Sequence, residues 1–440
     1  MSTAPKKAEQ PKAEPSGTGA AKAEPPKAAA PEAGPAERHD PLAGRQLDVD
    51  ALIDDPATTI VVCCGSGGVG KTTTAAALGL RAAERGRKVV VLTIDPARRL
   101  AQSMGLTELD NTPRVVKGVN GTGELQAMML DMKRTFDEVV LAHADPERAR
   151  QIMENPFYQS LSSGFAGTQE YMAMEKLGQL QAEGIWDLIV VDTPPSRSAL
   201  DFLDAPNRLG SFLDGRLIRI LTAPAKVGGR SAMKFLNVGM TMFTGVLAKV
   251  LGANVLQDVS TFVSAMDSMF GGFRERADRT YRLLQAPGTA FLVVAAPERD
   301  ALREAAYFVD RLETDRMPLA GLVLNRVHST GAPQLTAERA LAAAETLESP
   351  DQDDTATAGT AAAAAAHAVG GGSSPETEVL AAGLLRLHAE RVQRITRERR
   401  MRDRFVSIYP DVPVVEVPAL AGDVHDLEGL REIGERLNRR

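Results

Sequence analysis

The sequence predicts an α/β fold with a doubly wound, mostly parallel sheet, and three observations lead to this class. Short apolar, β-branched runs alternate with longer helical patterns, which is typical of parallel sheets covered by helices. The first run, residues 60–64, enters a glycine-rich turn and then an alanine-rich helical segment at 75–85. Two later runs end at Asp95 and Asp192. Ligands of such sheets bind at the carboxyl ends of the strands, so these positions mark the expected site.

The order of elements follows from the same patterns. Helical patterns fill about 132–182, with interruptions near Asp145-Pro146 and Asn155-Pro156, and later helices are predicted at about 298–314, 377–406 and 427–437. The predicted strands are residues 60–64, 88–94, 125–130, 186–191, 290–296, 319–327 and 413–417.

The glycine-rich turn carries the spacing G-x-x-x-x-G-K-T, formed by Gly65, Gly70, Lys71 and Thr72. With a strand before it and a helix after it, this is the context of a phosphate-binding P-loop. Backbone N–H groups and the helix N-terminus attract a polyphosphate, and Lys71 is expected on its β- and γ-phosphates. The predicted nucleotide-binding residues of the loop are Gly65, Ser66, Gly67, Gly68, Val69, Gly70, Lys71, Thr72 and Thr73.

Acidic residues at the neighbouring strand ends suggest metal-dependent hydrolysis of a nucleoside triphosphate. Asp192 ends an apolar strand, where a carboxylate holds Mg²⁺ directly or through water, together with the Thr72 hydroxyl. Asp95 is a second candidate catalytic group beside the γ-phosphate. For either aspartate the alternative is a helix N-cap, which Asp also favours. The residues themselves therefore predict a nucleoside triphosphate and Mg²⁺ as ligands.

Composition sets limits on location and partners. The chain has 440 residues, of which 44% are hydrophobic, and a formal net charge of −6. This acidic balance argues against nucleic acid as a partner. The only two cysteines, Cys63 and Cys64, are adjacent in a strand and point to opposite faces, so they favour buried, reduced thiols over a metal site. No apolar segment follows Lys6 and Lys7, so no signal peptide is expected, and a cytoplasmic location is predicted.

The predicted domain organisation is a disordered Ala/Pro/Lys/Glu-rich tail at 1–45 and one P-loop domain at 46–440. Two insertions interrupt this domain: a helical subdomain at 205–285 and a flexible low-complexity stretch at 347–375. Within the first, residues 235–256 are apolar but contain polar residues and glycines, which favours an apolar helical lobe over a membrane span. Its methionines suit either an adaptable binding surface or ordinary core packing.

Several motifs together resemble one family. The run Gly65–Thr73 is similar to the deviant Walker A motif of the MinD/ParA/ArsA class. Residues 95–100 (DPARRL) resemble the switch I motif of ArsA-type ATPases, and residues 192–203 (DTPPSRSALDFL) resemble their switch II motif. Residues 167–171 (GTQEY) also resemble the family. This combination is typical of the arsenical-pump and tail-anchored-protein-targeting ATPases.

The resemblance, which covers about 58–437 apart from the insertion after 346, implies further roles. Asn325 resembles the family's adenine-contacting asparagine, and Pro418, Ala419 and Leu420 its late adenine loop. It implies an ATP-hydrolysing dimer that opens and closes with nucleotide. In the targeting branch, a helical lobe in the place of 205–285 offers an apolar groove to the transmembrane segment of a client protein.

The chain departs from this pattern in the P-loop, in switch I and in switch II, where Arg197-Ser198 replaces the family's Gly-His pair. The family's lysine that reaches the partner subunit's nucleotide is replaced by Ser66, which is short and uncharged. The switch I carboxylate that positions the attacking water falls at Gln102, which orients water but is no base. The arsenite-binding cysteines and the dimer-stapling C-x-x-C are also absent from the sequence, which argues against metalloid transport.

Three functional hypotheses therefore remain at this stage. The first is a Mg²⁺-dependent, ArsA-like ATPase, a dimer that handles apolar or membrane-protein clients or a membrane partner. The second is a catalytically weak nucleotide-sensing subunit, paired in a heterodimer with an ArsA-like paralogue that supplies the lysine. The third is a ParA- or MinD-like positioning ATPase, peripheral to a membrane, for which the basic end at 431–440 is the motivation.

Overall fold

The coordinates are a computed structural model of the chain. They describe residues 45–95, 99–156, 158, 159, 162, 168–194, 272, 275–348 and 375–438. The apolar stretch 235–256, most of the 205–285 insertion and nearly all of the predicted tail and of the 347–375 insertion lie outside the described residues, so the predicted domain organisation stays a prediction. Among the helices that are described, none is both long and apolar enough to cross a bilayer.

The centre of the structure is an eight-stranded sheet with the order β3-β4-β2-β5-β1-β6-β7-β8. Every pairing is parallel except that of β3 with β4. The predicted α/β, doubly wound sheet is thus confirmed. The strands are β1 (Ile60–Cys64), β2 (Lys88–Thr93), β3 (Arg114–Val115), β4 (Glu124–Met129), β5 (Leu188–Asp192), β6 (Thr289–Ala295), β7 (Leu319–Val327) and β8 (Val414–Pro418).

The helices cover both faces of the sheet. They are α1 (Val49–Asp54), α2 (Lys71–Glu84), α3 (Arg99–Ser103), α4 (Met132–His143), α5 (Pro146–Met153), α6 (Thr168–Glu183), α7 (Arg299–Thr314), α8 (Ala337–Glu348), α9 (Pro375–Ile408) and α10 (Leu427–Arg436). The predicted break at Asp145 is an N-cap, because its carboxylate accepts from the backbone N–H of Arg148.

The two faces of the central strand enter separate cores. Val62 and Cys64 belong to one cluster of buried side chains, and Val61 and Cys63 belong to the other. The predicted opposite orientation of the two cysteines is therefore confirmed. Burial raises the pKa of the Cys64 thiol to about 12 and also raises the pKa of Cys63, so both remain protonated and unreactive at neutral pH.

Some element boundaries differ from the sequence-based expectation, for local reasons. Helix α2 starts at Lys71 rather than at residue 75, because Gly70 adopts φ +96° and its carbonyl accepts from Thr74 N at 2.9 Å. Strand β3 was not predicted, since two residues carry no periodic pattern. Helices α1, α3 and α8 were also missed.

Candidate nucleotide-binding site

Three adjacent parallel strands bring the predicted site residues to one edge of the sheet. β1 lies between β5 and β6, and β5 lies between β1 and β2. In this register Asp192 is paired with Cys63 on one side and with Thr93 on the other. The glycine-rich loop after β1, the carboxylate that ends β5 and Asp95 after β2 are therefore neighbours.

The loop is folded tightly against the strands beside it. Gly65 has φ +147°, and a Cβ added there would lie 2.1 Å from the carbonyl oxygen of Val294. Gly70 has φ +96°, and its Cβ would lie 2.2 Å from Nδ2 of Asn325. These two glycines thus meet both the conformational and the steric demand of the loop.

We expect Gly65→Ala to destabilise the protein by about 2 kcal/mol or more, because neither the positive φ nor the backbone contact with Val294 accommodates a methyl group. Urea unfolding measures this change. Gly331→Ala is the matched control, since nothing lies within 4 Å of its Cβ position and its φ is not positive. Equal unfolding free energies for the two variants would contradict the steric account.

Lys71 lies inside the loop rather than in solvent. Its side chain is buried, and Nζ donates to the carbonyl oxygen of Ser66 at 2.8 Å. Burial lowers the pKa of Lys71, while the carboxylates of Asp192 and Asp95 oppose that shift. A buried ammonium group that is held by one carbonyl and faces two carboxylates retains donors for an anionic ligand.

Asp192 is the most buried charged group of the site. Its Oδ2 accepts from Thr72 Oγ1 at 2.8 Å and from Thr93 Oγ1 at 2.9 Å. Its Oδ1 is buried and finds no hydrogen-bond partner in the described part of the chain. Burial raises the pKa of Asp192 to about 6, although the two threonine hydroxyls and Lys71 act in the opposite direction.

These residues fit a hydrated Mg²⁺ ion. Thr72 donates its proton to Asp192, which leaves the lone pairs of its hydroxyl oxygen for a cation. Asp192 adds an unpartnered, buried carboxylate oxygen. Hard oxygen donors of this kind, completed by water and phosphate oxygens, are what Mg²⁺ selects.

The candidate adenine residues lie on the other side of the loop. Asn325, near the end of β7, donates from Nδ2 to the carbonyl oxygen of Val69 at 2.8 Å. The next residue, Arg326, has φ +62°, and the β7–β8 register shifts there. Ala419 N then donates to Val327 O at 2.9 Å, which fixes the 418–420 loop beside β7. Asn325 therefore links the phosphate loop to the predicted base side.

Fewer contacts define the positions of the remaining predicted site residues. Asp95 ends the described part of the β2 segment, and its backbone carbonyl accepts from Thr93 Oγ1 at 3.2 Å. Gln102 lies on α3 with an exposed side chain. The switch II residues after Pro194 lie outside the described residues.

Three polar residues of the site were not assigned a role from the sequence. Thr93 supports Asp192, Thr193 donates from Oγ1 to Cys63 O at 2.9 Å, and Gln169 donates from Nε2 to Ile94 O at 3.1 Å. Thr93 was recognisable only as a polar residue at the end of an apolar run. Its partner depends on the β2–β5 pairing, which a sequence pattern does not give.

The fold and this phosphate loop define a P-loop nucleotide-binding protein. The family model described as anion-transporting ATPase (ArsA_ATPase) matches residues 58–339. The chain belongs to this family of ATPases, which confirms the resemblance stated from the motifs.

Curated relatives support the same family at low identity. The chain is 24% identical over 280 residues to ATPase ASNA1 homolog 2 of Paramecium tetraurelia, covering 63% of this chain and 78% of that protein. It is 22% identical over 281 residues to ATPase GET3 of Podospora anserina, covering 63% of this chain and 76% of that protein. The chain is 29% identical over 162 residues to ATPase GET3 of Malassezia globosa. This match covers 37% of this chain and less than half (46%) of that protein.

Proposed function

We propose that the chain is a Mg²⁺-dependent ATPase whose nucleotide state controls a dimer that handles apolar or membrane-protein clients in the cytoplasm. The observation that supports this most strongly is the pair of hydrogen bonds from Thr72 and Thr93 to Asp192, next to the buried Lys71. A loop that only bound a free anion would not need a buried, partly unpartnered carboxylate beside it, since that charge is costly to bury.

The roles of the residues follow from this geometry. The backbone N–H groups of the loop and the N-terminus of α2 bind the phosphates, and Lys71 neutralises charge on the transferred phosphoryl group. Thr72 and Asp192 would hold Mg²⁺, which would supply charge neutralisation for the phosphates of the bound nucleotide. Asn325 and the 418–420 loop contact the base. Asp95 and Gln102, on the switch I segment, orient the attacking water.

The client part of the proposal depends on the family resemblance and on the apolar, methionine-rich sequence between 205 and 285. The direct test is to add a peptide with a single transmembrane segment to the purified protein with ATP, with ADP or with a transition-state analogue. Nucleotide-dependent capture of the peptide in soluble form is expected. A protein that hydrolyses ATP but captures no such peptide in any state contradicts the client role and leaves the ATPase assignment intact.

A second candidate, a nucleotide-sensing subunit of a heterodimer, is motivated by Ser66 and Gln102. The structure shows how Ser66 is used: its backbone carbonyl accepts from Lys71 Nζ, and its side chain is buried. This candidate predicts slow turnover by the chain alone and acceleration by a lysine-bearing paralogue. A stable homodimer in native mass spectrometry, together with brisk ATP hydrolysis by the chain alone, contradicts it.

The third candidate, a ParA- or MinD-like positioning ATPase, is less favoured by the contacts of the basic C-terminal helix. Arg431 Nε donates to Glu84 Oε1 at 2.8 Å, and Arg436 pairs with Glu432. These arginines are thus engaged within the domain rather than presented to a lipid or DNA phosphate. Liposome and DNA co-sedimentation in ATP is expected to be negative, and clear binding would revive this candidate.

A further inference from the structure

The first half of α9 exposes an unusual amount of apolar surface. The four most exposed large hydrophobic side chains in the described residues all lie there: Val379 (71%), Leu380 (65%), Leu387 (63%) and Leu384 (59%). Helix α9 is also the longest described element, with 34 residues, or about 50 Å at the usual rise per residue. A cluster of this kind on one helix is typical of an interaction surface.

Three of these residues form a single stripe. Leu380, Leu384 and Leu387 are separated by four and then three positions, which places them on one side of the helix at the spacing used for helix pairing. We call these three residues the leucine stripe. On another side of α9, Ala382 and Ala389 are buried, and α8 packs along the helix.

Further along, the side of α9 that carries the leucine stripe contacts the rest of the domain. Arg391 Nε donates to Ser329 O at 2.7 Å, and Glu398 accepts from His328 N at 2.9 Å. The segment after β7 therefore contacts this side of α9 at Arg391 and Glu398, whereas Arg394 between them is exposed. The first half of α9 extends beyond that segment, and its three stripe leucines stay exposed.

The charges on α9 are distributed unevenly about the leucine stripe. Its first turn carries Glu376 and Glu378, and no basic residue follows until Arg386. From residue 391 to residue 404 the helix has seven arginines against two acids, Glu398 and Asp403. Arg394 and Arg397 are exposed. The stripe thus lies between an acidic end and a basic half.

We propose that a second copy of this chain covers the leucine stripe, with the two α9 helices antiparallel. Antiparallel pairing about a two-fold axis near Leu384 brings the exposed Glu376 of each copy close to the exposed Arg394 of the other. Parallel pairing would place like charges together. An anionic membrane surface fits less well, because the exposed Glu376 lies one turn before Leu380 on the same side of the helix and repels it. The inference rests on the dimer of the proposed function and assigns it a surface.

Cysteine cross-linking tests the contact directly. Both native cysteines are buried, so a disulfide between two copies forms through the introduced, exposed thiol. Leu384→Cys is expected to give a covalent dimer as its main product under mild oxidation. Leu141→Cys is the matched control, because Leu141 on α4 is exposed to nearly the same extent (58%), and it is expected to form no covalent dimer. Equal, low cross-linking of the two variants would overturn the proposal.

Orientation is tested by a mixed sample. In an antiparallel pair centred on Leu384, the two copies of residue 376 lie about 24 Å apart, whereas residue 376 of one copy lies close to residue 394 of the other. Glu376→Cys is thus expected to cross-link with Arg394→Cys but hardly with itself. Efficient self-linking of Glu376→Cys overturns the antiparallel arrangement.

Sedimentation of a charged variant completes the test. Leu384→Glu is expected to raise the dimer dissociation constant by about 100-fold, because a carboxylate replaces an apolar contact in each copy, while Leu141→Glu leaves it unchanged. An unchanged dissociation constant together with a lower unfolding midpoint would mean that the chain's own residues cover the leucine stripe, which overturns the proposal.

ATP hydrolysis is measured on the same samples. Self-association that Leu384→Glu does not weaken counts against this inference alone. Hydrolysis without any self-association counts against both this inference and the dimer of the proposed function, and self-association without hydrolysis counts against the ATPase assignment alone.

Discussion

Replacing Lys71 by alanine is expected to lower the rate of ATP hydrolysis by about 100- to 1000-fold, the usual cost of removing one preorganised charge from the transition state. Lys71 is buried within the loop, and its Nζ is fixed at 2.8 Å from the Ser66 carbonyl oxygen. No other ammonium group of the described loop replaces it. Phosphate release from ATP, measured under saturating Mg²⁺, gives the rate.

The control for this prediction is Lys117→Ala, which makes the same substitution at an exposed position outside the loop. Its rate is expected to equal that of the unchanged protein. Circular dichroism of both variants establishes that they are folded. A folded Lys71→Ala protein that retains more than about one tenth of the activity would show that the phosphate loop is not the hydrolytic site.

Replacing Asp192 by asparagine is expected to separate activity from stability. Hydrolysis should fall by about 100-fold or more, because the amide keeps the shape of the side chain but loses the negative charge that holds the metal. The unfolding midpoint of the metal-free protein should not fall, because the substitution removes a buried charge with an unpartnered oxygen. Most destabilising core substitutions would lower both quantities together.

Two measurements check this expectation. Thermal unfolding is recorded with ATP in EDTA and with ATP in Mg²⁺, and the metal-dependent rise in midpoint should disappear in Asp192→Asn. Asp300→Asn is the matched control, because its side chain is 92% exposed on α7, and it should keep both the rise and the activity. A variant that still shows the full Mg²⁺-dependent rise would remove Asp192 from the metal site.

The geometry also explains why Thr72 and Thr93 act together. Both hydroxyls donate to the same oxygen of Asp192, so the proton of Thr72 is directed away from the side where a cation binds. Thr93 lies on β2 and Thr72 on α2. The carboxylate therefore connects the phosphate loop to β2, the strand that precedes the proposed switch I segment.

Much of the fold could be predicted from the sequence because parallel strands buried on both faces are continuous apolar runs. All seven runs that were predicted as strands are strands of the sheet, with small changes at their ends. Strand β3 and helices α1, α3 and α8 were not found. β3 is only two residues long and pairs antiparallel at the sheet edge, where its position depends on β4 rather than on its own residues.

The phosphate loop was determined by the sequence alone, because its spacing of glycines, lysine and threonine is a local property of one strand, turn and helix. The partners of that loop were decided by the tertiary structure. The order of β2, β5, β1 and β6 sets Thr93 beside Asp192 and Val294 against Gly65. β7, beyond β6, sets Asn325 against Val69. These contacts join residues far apart in the chain, and only the pairing of the strands brings them within hydrogen-bond distance.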